Sequence, residues 1–255
     1  MLEAGRAEMR HFRSGVSAES KSDSSPVTVA DREAEAILVA ALGQVAPEIS
    51  VIAEELAAAG QMPPPQRRFF LVDALDGTRY FIKGLPEFSI NVGLVSDGEP
   101  VFGLIYSPAA ERLYANRSDG KAYVAQLAPD AQVSGLKDLT FRALQSRQPD
   151  RANLVAFSSR ASGGSSADFL KSLAVREARP YGSSEKFALI ADGVGDLYPR
   201  FGPTYEWDTA AGQAILEAAG GSVTTLEGAR LGYGKSENRY LNPGFVAWGR
   251  ERLGP

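Results

Sequence analysis

The chain has no cysteine and only one histidine, His11, among its 255 residues. Disulfides, thiolate nucleophiles and cysteine-bound zinc or iron–sulfur centres are therefore excluded. A Ser-His-Asp triad would have to use His11, which lies in a polar N-terminal stretch, and there is no HExxH zinc motif. Aspartate and glutamate together number 31, so a catalytic metal would be bound by oxygen, which favours Mg²⁺ or Mn²⁺.

Long apolar runs are also missing. No stretch approaches the roughly 20 apolar residues of a membrane-spanning helix, and no charged-then-apolar leader is visible. A net charge of −4 provides no general electrostatic field for a nucleic acid polymer. We therefore expect a cytoplasmic protein without a membrane span, which leaves peripheral association with the inner membrane open. The hydrophobic content of 44% is enough for one large core or two smaller ones.

The most informative segment is FFLVDALDGT, residues 69–78. Its four apolar residues predict a buried strand that ends in Asp73 and Asp76, followed directly by Gly77 and Thr78. Two neighbouring buried carboxylates raise each other's pKa, and a hard divalent cation relieves that repulsion. Gly77 and Thr78 add backbone N–H groups and a hydroxyl beside the metal. The segment predicts a metal-dependent phosphate site, with an ordinary acidic turn as the alternative.

Other phosphate and metal motifs fail on spacing. The stretch from Asp73 to Gly84 lacks the alternating Asp/Asn positions and the final Glu of an EF-hand. A Walker A loop ending at Gly234-Lys235-Ser236 would need glycine where Ala229 stands. A haloacid-type aspartyl phosphatase would have its two carboxylates two residues apart instead of three.

A second acidic landmark precedes an apolar run. Asp208 and Thr209 stand before the run from Ala210 to Leu216, and Gly220-Gly221 closes it. This pattern predicts a helix with an Asp/Thr N-cap and a glycine stop. Asp208 is thus either a helix cap or a metal ligand.

The remaining pattern predicts antiparallel hairpins in the first half of the chain and alternating strands and helices in the second half. Apolar and polar residues alternate from Phe88 to Tyr123 around Asp97-Gly98 and Asp119-Gly120, which predicts antiparallel hairpins. The polar stretch 126–151 indicates a boundary, so we place the halves at residues 1–135 and 136–255. Helices are predicted at 1–14, 30–42, 166–173 and 185–191, strands at 51–53, 154–157 and 196–198, and loops at 21–28 and 61–68.

Three motifs occur in order along the chain: Glu54-Glu55, residues 73–78, and Trp207-Asp208-Thr209-Ala210-Ala211. Together they resemble the lithium-sensitive, Mg²⁺-dependent phosphatase family of inositol monophosphatases, fructose-1,6-bisphosphatases and bisphosphate nucleotidases. Within this family the chain looks closest to the CysQ-type 3′(2′),5′-bisphosphate nucleotidases. The segments that carry this closer similarity are Ser25–Thr28, Phe81-Ile82, Glu87–Asn91, Gly182–Ser184, Leu197–Pro203 and Asn242–Phe245.

The resemblance implies a fold and a metal site. The fold would be α/β (α+β), a layered α-β-α-β-α sandwich of the sugar-phosphatase type, with two subdomains and the metal site between them. The metal ligands implied are Glu54, Asp73, the carbonyl of Leu75, Asp76 and Asp208. They would hold two or three Mg²⁺ ions, with Mn²⁺ as a substitute and Li⁺ as an inhibitor. Glu54, Thr78 and Asp76 would be catalytic, with Glu54 and Thr78 activating and orienting the attacking water.

The implied substrate is a small phosphorylated molecule, whose phosphate would lie over the N–H groups of Gly77 and Thr78. Lys186 and Arg200 are either contacts to a second phosphate or exposed, solvated charges. The full set of substrate-binding residues implied is Asp76, Gly77, Thr78, Gly182, Ser183, Lys186, Arg200 and Asp208. A homodimer is left open.

Three positions depart from the family pattern. Ala74 replaces a usual proline, Glu185 replaces a usual leucine and adds an acid near the phosphate site, and residues 157–162 lack a usual histidine. Glu55 and Asp31 either support the ligands or bind a third ion, or are plain surface acids. The implied reaction is removal of the 3′-phosphate from adenosine 3′,5′-bisphosphate, giving AMP and phosphate. A phosphatase for inositol phosphate or another sugar phosphate is the alternative, and a non-catalytic metal- and phosphate-binding protein is a third.

Overall fold

The computed structural model describes residues 1–15, 17–20, 26–64, 66–159 and 164–253. The loop predicted at 21–28 and the histidine-lacking segment 157–162 lie partly outside the described residues. Within the described ranges, no helix has both the length and the apolar character needed to cross a membrane.

The described chain contains both α-helices and β-strands, and the strands between residues 89 and 158 follow one another without an α-helix between them. The helices are α1 (Leu2–Ser14), α2 (Val29–Val45), α3 (Glu54–Ala58), α4 (Thr78–Ile82), α5 (Gly164–Ser172), α6 (Glu185–Ala191) and α7 (Ala210–Ala218). The strands are β1 (Glu19–Ser20), β2 (Pro26–Val27), β3 (Ser50–Ala53), β4 (Arg68–Asp76), β5 (Ser89–Ser96), β6 (Glu99–Ser107), β7 (Arg112–Asn116), β8 (Ala122–Gln126), β9 (Phe141–Ala143), β10 (Val155–Ser158), β11 (Glu177–Pro180), β12 (Leu197–Arg200), β13 (Ser222–Thr225) and β14 (Phe245–Trp248).

Two large sheets organise the molecule. The first sheet has seven strands in the order β3-β4-β5-β6-β7-β8-β9, with β3 parallel to β4 and the other neighbours antiparallel. The second sheet has five strands in the order β11-β10-β12-β14-β13, and β10 is parallel to both β11 and β12. β1 and β2 form a separate antiparallel pair.

The layers follow from the two faces of each strand. Phe70 of β4 packs with Leu38 of α2 on one face of the first sheet, whereas Phe69 points to the opposite face, where Ile215 of α7 is buried. Helices α6 and α7 fill the space between the two sheets, and α5 covers the far side of the second sheet through Leu170. The order is α1–α2, first sheet, α6–α7, second sheet, α5. It confirms the layered α-β-α-β-α sandwich.

Helix α7 lies unusually close to the first sheet. A Cβ on Gly103 of β6 would stand 2.1 Å from the carbonyl oxygen of Ala211, so this approach requires glycine. The turn that precedes α7, Glu206–Asp208, therefore contacts β4 and β5. This packing delivers Asp208 to the first sheet.

Most predicted elements are confirmed. The hairpin at Asp97-Gly98 joins β5 to β6, with both residues at positive φ (54° and 80°), and α6 spans the predicted residues 185–191. β9 follows the predicted boundary at residue 135, yet it pairs with β8 in the first sheet. The division into halves at 1–135 and 136–255 stays a prediction.

Candidate active site

The site is built where two parallel strands end. Ala53 of β3 pairs with Val72 of β4, so the next residues, Glu54 and Asp73, are neighbours at the carboxyl end of this pair. Asp208 comes from a distant part of the chain, in the turn before α7. Carboxylate oxygens of Glu54, Asp73 and Asp208 all lie within 4.8 Å of one another. The structure thus brings together three of the predicted metal ligands.

Asp76 reaches the same face of the sheet through an irregularity in β4. Asp73 pairs with Asn91 and Asp76 pairs with Ser89, so three steps along β4 match two steps along β5. In a regular strand, residues three apart point to opposite faces. The extra residue returns Asp76 to the face that carries Asp73. Among the described residues, the cluster whose carboxylate oxygens lie within 4.8 Å of one another is Glu54, Asp73 and Asp208, without Asp76. The Oδ2 of Asp76 accepts the N–H of Ser184 instead.

Burial disfavours the ionised forms of Asp76 and Asp208, and the neighbouring acids add to this effect. Burial, and then the nearby charges of Asp76 and Glu54, hold the pKa of Asp208 well above its usual range. Burial also raises the pKa of Asp76, although the charge of Lys186 opposes the shift. A divalent cation would remove this repulsion. The donor set is made of oxygen alone, which fits a hard cation such as Mg²⁺.

Thr78, the first residue of α4, is held beside the carboxylates. Its Oγ1 lies 3.1 Å from Asp31 Oδ1 and 3.1 Å from the carbonyl oxygen of Leu75, and its single proton serves one acceptor at a time. Asp31 also accepts the N–H and the hydroxyl of Thr28, which caps α2. The N–H of Leu75 donates to Asp73 Oδ1 at 3.0 Å. The Leu75 backbone therefore connects Thr78 with Asp73, and Asp31 is a buried support rather than a surface acid.

The turn before α6 packs against the segment that follows α4. The N–H of Gly182 donates to Glu87 Oε2 at 2.8 Å, and Ser183 adopts a left-handed φ of 49°. Gly77 has a φ of 100°, and a Cβ on it would stand 2.7 Å from the carbonyl oxygen of Glu87. The predicted residues Gly77 and Gly182 therefore meet at Glu87.

Lys186 is buried rather than an exposed charge. Its Nζ donates to the carbonyl oxygens of Tyr181 and Ser183 and lies 4.8 Å from the centre of the Tyr198 ring. Burial lowers the pKa of Lys186 to about 8, although the charge of Asp76 opposes this shift. A buried ammonium with a lowered pKa beside a carboxylate group is typical of a functional site.

Arg200 is half-buried at the end of β12. Its guanidinium donates to the carbonyl oxygens of Gly202 and Pro203 at 3.2 and 2.7 Å. Its charge lowers the pKa of both Asp76 and Asp208, against the larger effect of burial, so the guanidinium lies within electrostatic range of the site.

The predicted Asp/Thr cap of α7 is wrong in its hydrogen bonding. Thr209 occupies the N-cap position without a side-chain cap bond, and Asp208 accepts the N–H of Tyr205 at 2.8 Å instead. The carboxylate of Glu206 accepts the N–H groups of Gly234-Lys235, so this rejected Walker-like segment supports the Asp208 turn. Asp208 is thereby held toward Glu54 and Asp73 rather than toward the helix.

A model of the inositol monophosphatase family matches residues 2–251 of this chain. The chain belongs to the inositol monophosphatase family. The protein named 3′(2′),5′-bisphosphate nucleotidase CysQ from Salmonella typhimurium is 38% identical over 225 residues, which cover 88% of this chain and 86% of that protein. The protein of the same name from Escherichia coli strain K12 is 37% identical over 226 residues, covering 89% and 86%.

Solved structures of the inositol monophosphatase family share the fold. CysQ from Bacteroides thetaiotaomicron superposes with a TM-score of 0.79 at 31% identity, covering 98% of this chain and 94% of that one. An IMPase from Thermotoga maritima superposes with a TM-score of 0.76 at 24% identity, covering 98% and 89%, which shows the fold alone.

Two departures from the usual inositol monophosphatase pattern now have a structural account. Ala74 is buried in the apolar cluster between the first sheet and α2. Glu185 is 1% exposed and accepts hydrogen bonds from the hydroxyls of Tyr114 (3.1 Å) and Tyr181 (2.8 Å). Two tyrosines therefore bind the carboxylate of Glu185, and its expected effect on the phosphate site stays a prediction.

Sequence reasoning named Glu87–Asn91 only as a segment of family similarity and gave the polar residues of β5 no role in the site. Ser89 and Asn91 are fully buried and alternate with the apolar Ile90 and Val92. Two polar side chains at a spacing of two, on the buried face of an apolar strand, were the available signal. Glu87, which binds the turn before α6, carries no comparable signal because its partner is distant in sequence.

Proposed function

We propose that this member of the inositol monophosphatase family is a Mg²⁺-dependent phosphomonoesterase that removes the 3′-phosphate of adenosine 3′,5′-bisphosphate. The observation that carries the proposal is the convergence of Glu54, Asp73 and Asp208 within 4.8 Å, beside the buried ammonium of Lys186. The similarity to proteins named 3′(2′),5′-bisphosphate nucleotidase, over 86% of their length, supports the choice of substrate.

The metal would be held by residues from the N-terminal part of the chain and by Asp208 from the C-terminal part. The proposed ligands are Glu54, Asp73, the carbonyl of Leu75, Asp76 and Asp208, for two or three Mg²⁺ ions. When bound, Mg²⁺ supplies positive charge to the phosphoryl group and activates water as the nucleophile. Glu54 accepts the proton of that water, and the hydroxyl of Thr78, fixed between Asp31 and Leu75, orients it.

The substrate would be held by groups that lie next to the carboxylates. The N–H groups of Gly77 and Thr78 bind the phosphate that is cleaved. Lys186 and Arg200 bind the second phosphate, and the backbone of Gly182-Ser183 shapes this part of the site. Lys186 is preorganised for this role because two carbonyl oxygens and the Tyr198 ring fix its ammonium.

A phosphate-release panel tests the proposal. The substrates are adenosine 3′,5′-bisphosphate, an inositol phosphate and fructose 1,6-bisphosphate, each with Mg²⁺, with EDTA, and with added Li⁺. We expect the highest kcat/KM for the bisphosphate nucleotide, complete loss with EDTA and inhibition by Li⁺. Release of phosphate without any divalent cation would contradict the metal mechanism.

A sugar-phosphate phosphatase is the second candidate. The observation that favours it is the missing histidine in residues 157–162, of which 160–162 lie outside the described residues. A higher kcat/KM for the inositol phosphate would select this candidate, and no release from any substrate would select a non-catalytic metal- and phosphate-binding protein. The cytoplasmic location and the homodimer stay predictions.

A further inference from the structure

A buried polar cluster borders the carboxylates without belonging to them. It consists of Ser89 and Asn91 on β5 and Ser184 in the turn before α6, and all three are almost completely inaccessible. Ser89 pairs with Asp76 and Asn91 pairs with Asp73, so their side chains share the face that carries both acids. Polar groups at this depth are unfavourable unless they are hydrogen-bonded.

The hydrogen bonds of the cluster meet at Ser184. Its Oγ donates to Asn91 Oδ1 at 2.5 Å and lies 3.1 Å from Ser89 Oγ. Its backbone N–H donates to the carboxylate of Asp76. The side chain of Ser184 is therefore anchored to β5, while its main chain holds the carboxylate of Asp76. A shift of this turn would move the N–H away from Asp76.

The turn before α6 is held at both ends by one short segment, residues 87–91, which leads into β5. Gly182 is bound by Glu87, and Ser184 is bound by Ser89 and Asn91. The residue in between, Ser183, has a φ of 49°, which is unfavourable for any residue other than glycine. The conformation of the turn thus depends on these outside contacts rather than on local preference.

Asn91 has a feature that packing does not explain. Among the described residues, its Nδ2 has no hydrogen-bond partner, although the side chain is fully buried. An unpaired buried donor destabilises a fold, and an apolar side chain of similar size would avoid that penalty. We propose that Asn91 is a positioning residue of the metal centre. Through Ser184 it fixes the backbone N–H that orients the Asp76 carboxylate toward the cation.

This inference rests on the proposed function only in taking Asp76 as a metal ligand. The test therefore measures metal binding by the full chain without substrate, using Mn²⁺ alone and its electron paramagnetic resonance signal. The variants are Asn91→Leu and Ser184→Ala, and Ser184→Thr keeps the hydroxyl. Ser146→Ala is the matched control. Ser146 is a buried serine like Ser184, but its Oγ has no hydrogen-bond partner in the described structure.

We expect Asn91→Leu and Ser184→Ala to bind Mn²⁺ roughly 10–100-fold more weakly, as is typical when a partner of a metal ligand is removed. Ser184→Thr should restore most of the affinity, and Ser146→Ala should bind as the wild type does. The Tm of metal-free Asn91→Leu should change little, because the unpaired donor is gone while Ser89 and Ser184, which both lose the Asn91 oxygen, can still bond to each other.

Unchanged Mn²⁺ affinity in both variants, together with a lower Tm, would assign the cluster to packing and overturn the inference. If Asn91→Leu does not fold, Ser184→Ala decides the question, because it removes one hydroxyl and leaves the backbone N–H in place. A wild-type chain that fails to bind Mn²⁺ would overturn the metal centre itself, and with it this inference.

Discussion

At the level of single residues, the carboxylates of the site and the ammonium of Lys186 have different neighbours. The carboxylates of Asp76 and Asp208 face other acids, and burial raises the pKa of both. The ammonium of Lys186 is also buried, but main-chain carbonyl oxygens bind it. These environments fit the proposed ligands, a cation at the carboxylates and an anion at Lys186 and Arg200.

The first prediction concerns Arg200. Its contact with a second phosphate should contribute about 1.5–3 kcal/mol, as charge-assisted hydrogen bonds do. Arg200→Ala should therefore lower kcat/KM for adenosine 3′,5′-bisphosphate about ten- to a hundredfold, and barely change it for a substrate that carries only the scissile phosphate. Steady-state kinetics with both substrates measures the difference.

The controls for Arg200 follow from its hydrogen bonds. Its guanidinium also binds the carbonyl oxygens of Gly202 and Pro203, so a loss of turn structure would affect both substrates equally. Arg200→Lys keeps the charge and removes the planar fork. No loss on either substrate in Arg200→Ala would remove Arg200 from the substrate site.

The second prediction is a pH dependence that originates at Lys186. Because burial lowers the pKa of Lys186 to about 8, the ammonium loses its charge as the pH rises through this value. We expect kcat/KM for the bisphosphate nucleotide to fall above about pH 8, while the monophosphate reaction shows no such limb. In Lys186→Arg, whose guanidinium stays charged, the limb should move to higher pH. A limb shared by both substrates would point to another group.

The lowered pKa of Lys186 affects the stability of the fold in the opposite direction to its effect on kcat/KM. Between about pH 8 and the usual lysine range, the unfolded chain binds a proton that the folded chain has released. The contribution of Lys186 to the free energy of unfolding therefore rises with pH across this window. Substrate binding and stability should consequently diverge above pH 8.

At the level of elements, the sequence was most informative where the signal is local. The run from Phe69 to Asp76 forms β4, the Asp97-Gly98 turn joins β5 to β6, and α6 has the predicted bounds. Composition and spacing are enough for α6 and for the β5–β6 hairpin because their hydrogen bonds are made within a few residues or across one tight turn. β4 pairs with the more distant strands β3 and β5, but its continuous apolar run is itself a local signal.

The sequence could not reveal the contacts that complete the site. The hydrogen bond from Ser184 to Asp76 joins residues 108 positions apart. Spacing alone also misplaces Asp76, since only the irregularity opposite β5 puts it on the face of Asp73. Likewise, nothing near Glu185 predicts that Tyr114, on β7, binds its carboxylate. Such contacts depend on how the layers stack, which local patterns do not specify.

The third prediction concerns this contact between α6 and β7. Glu185→Leu leaves the hydroxyls of Tyr114 and Tyr181 without their acceptor, and each stranded group costs about 1–3 kcal/mol. Urea denaturation should show a clear loss of stability for Glu185→Leu and a smaller loss for Glu185→Gln. Adding Tyr114→Phe and Tyr181→Phe to Glu185→Leu should recover most of it. Wild-type stability in Glu185→Leu would mean that desolvation of the carboxylate cancels its hydrogen bonds.

At the level of the whole molecule, the metal centre joins distant parts of the chain. Glu54 follows β3, Asp73 lies within β4 beside it, and Asp208 comes from the turn that precedes α7. Without a cation, the acids repel one another, which disfavours the approach of Asp208 to the first sheet. A bound divalent ion would convert this repulsion into attraction between the first sheet and α7, and metal binding should therefore appear as global stability.

The fourth prediction follows from that coupling. A ligand at a hundredfold excess over its Kd stabilises the folded state by about 2.7 kcal/mol, and each kcal/mol shifts Tm by about 2–4 °C in a chain of this size. Saturating Mg²⁺ should therefore raise the wild-type Tm by roughly 5–10 °C.

Asp208→Asn removes a repelling charge, so its Tm without metal should hold or rise. Its shift with Mg²⁺ should shrink, and its turnover should fall by orders of magnitude. The pKa of Asp208 is raised in the folded state. The metal-free wild type should therefore lose stability as the pH rises from the usual aspartate range through that higher value, and Asp208→Asn should not.

Asp168→Asn on α5 is the matched control, since Asp168 is an exposed carboxylate beside Lys171. An equal Mg²⁺ shift in Asp208→Asn and Asp168→Asn would separate Asp208 from the metal and leave the carboxylate group without its link to α7.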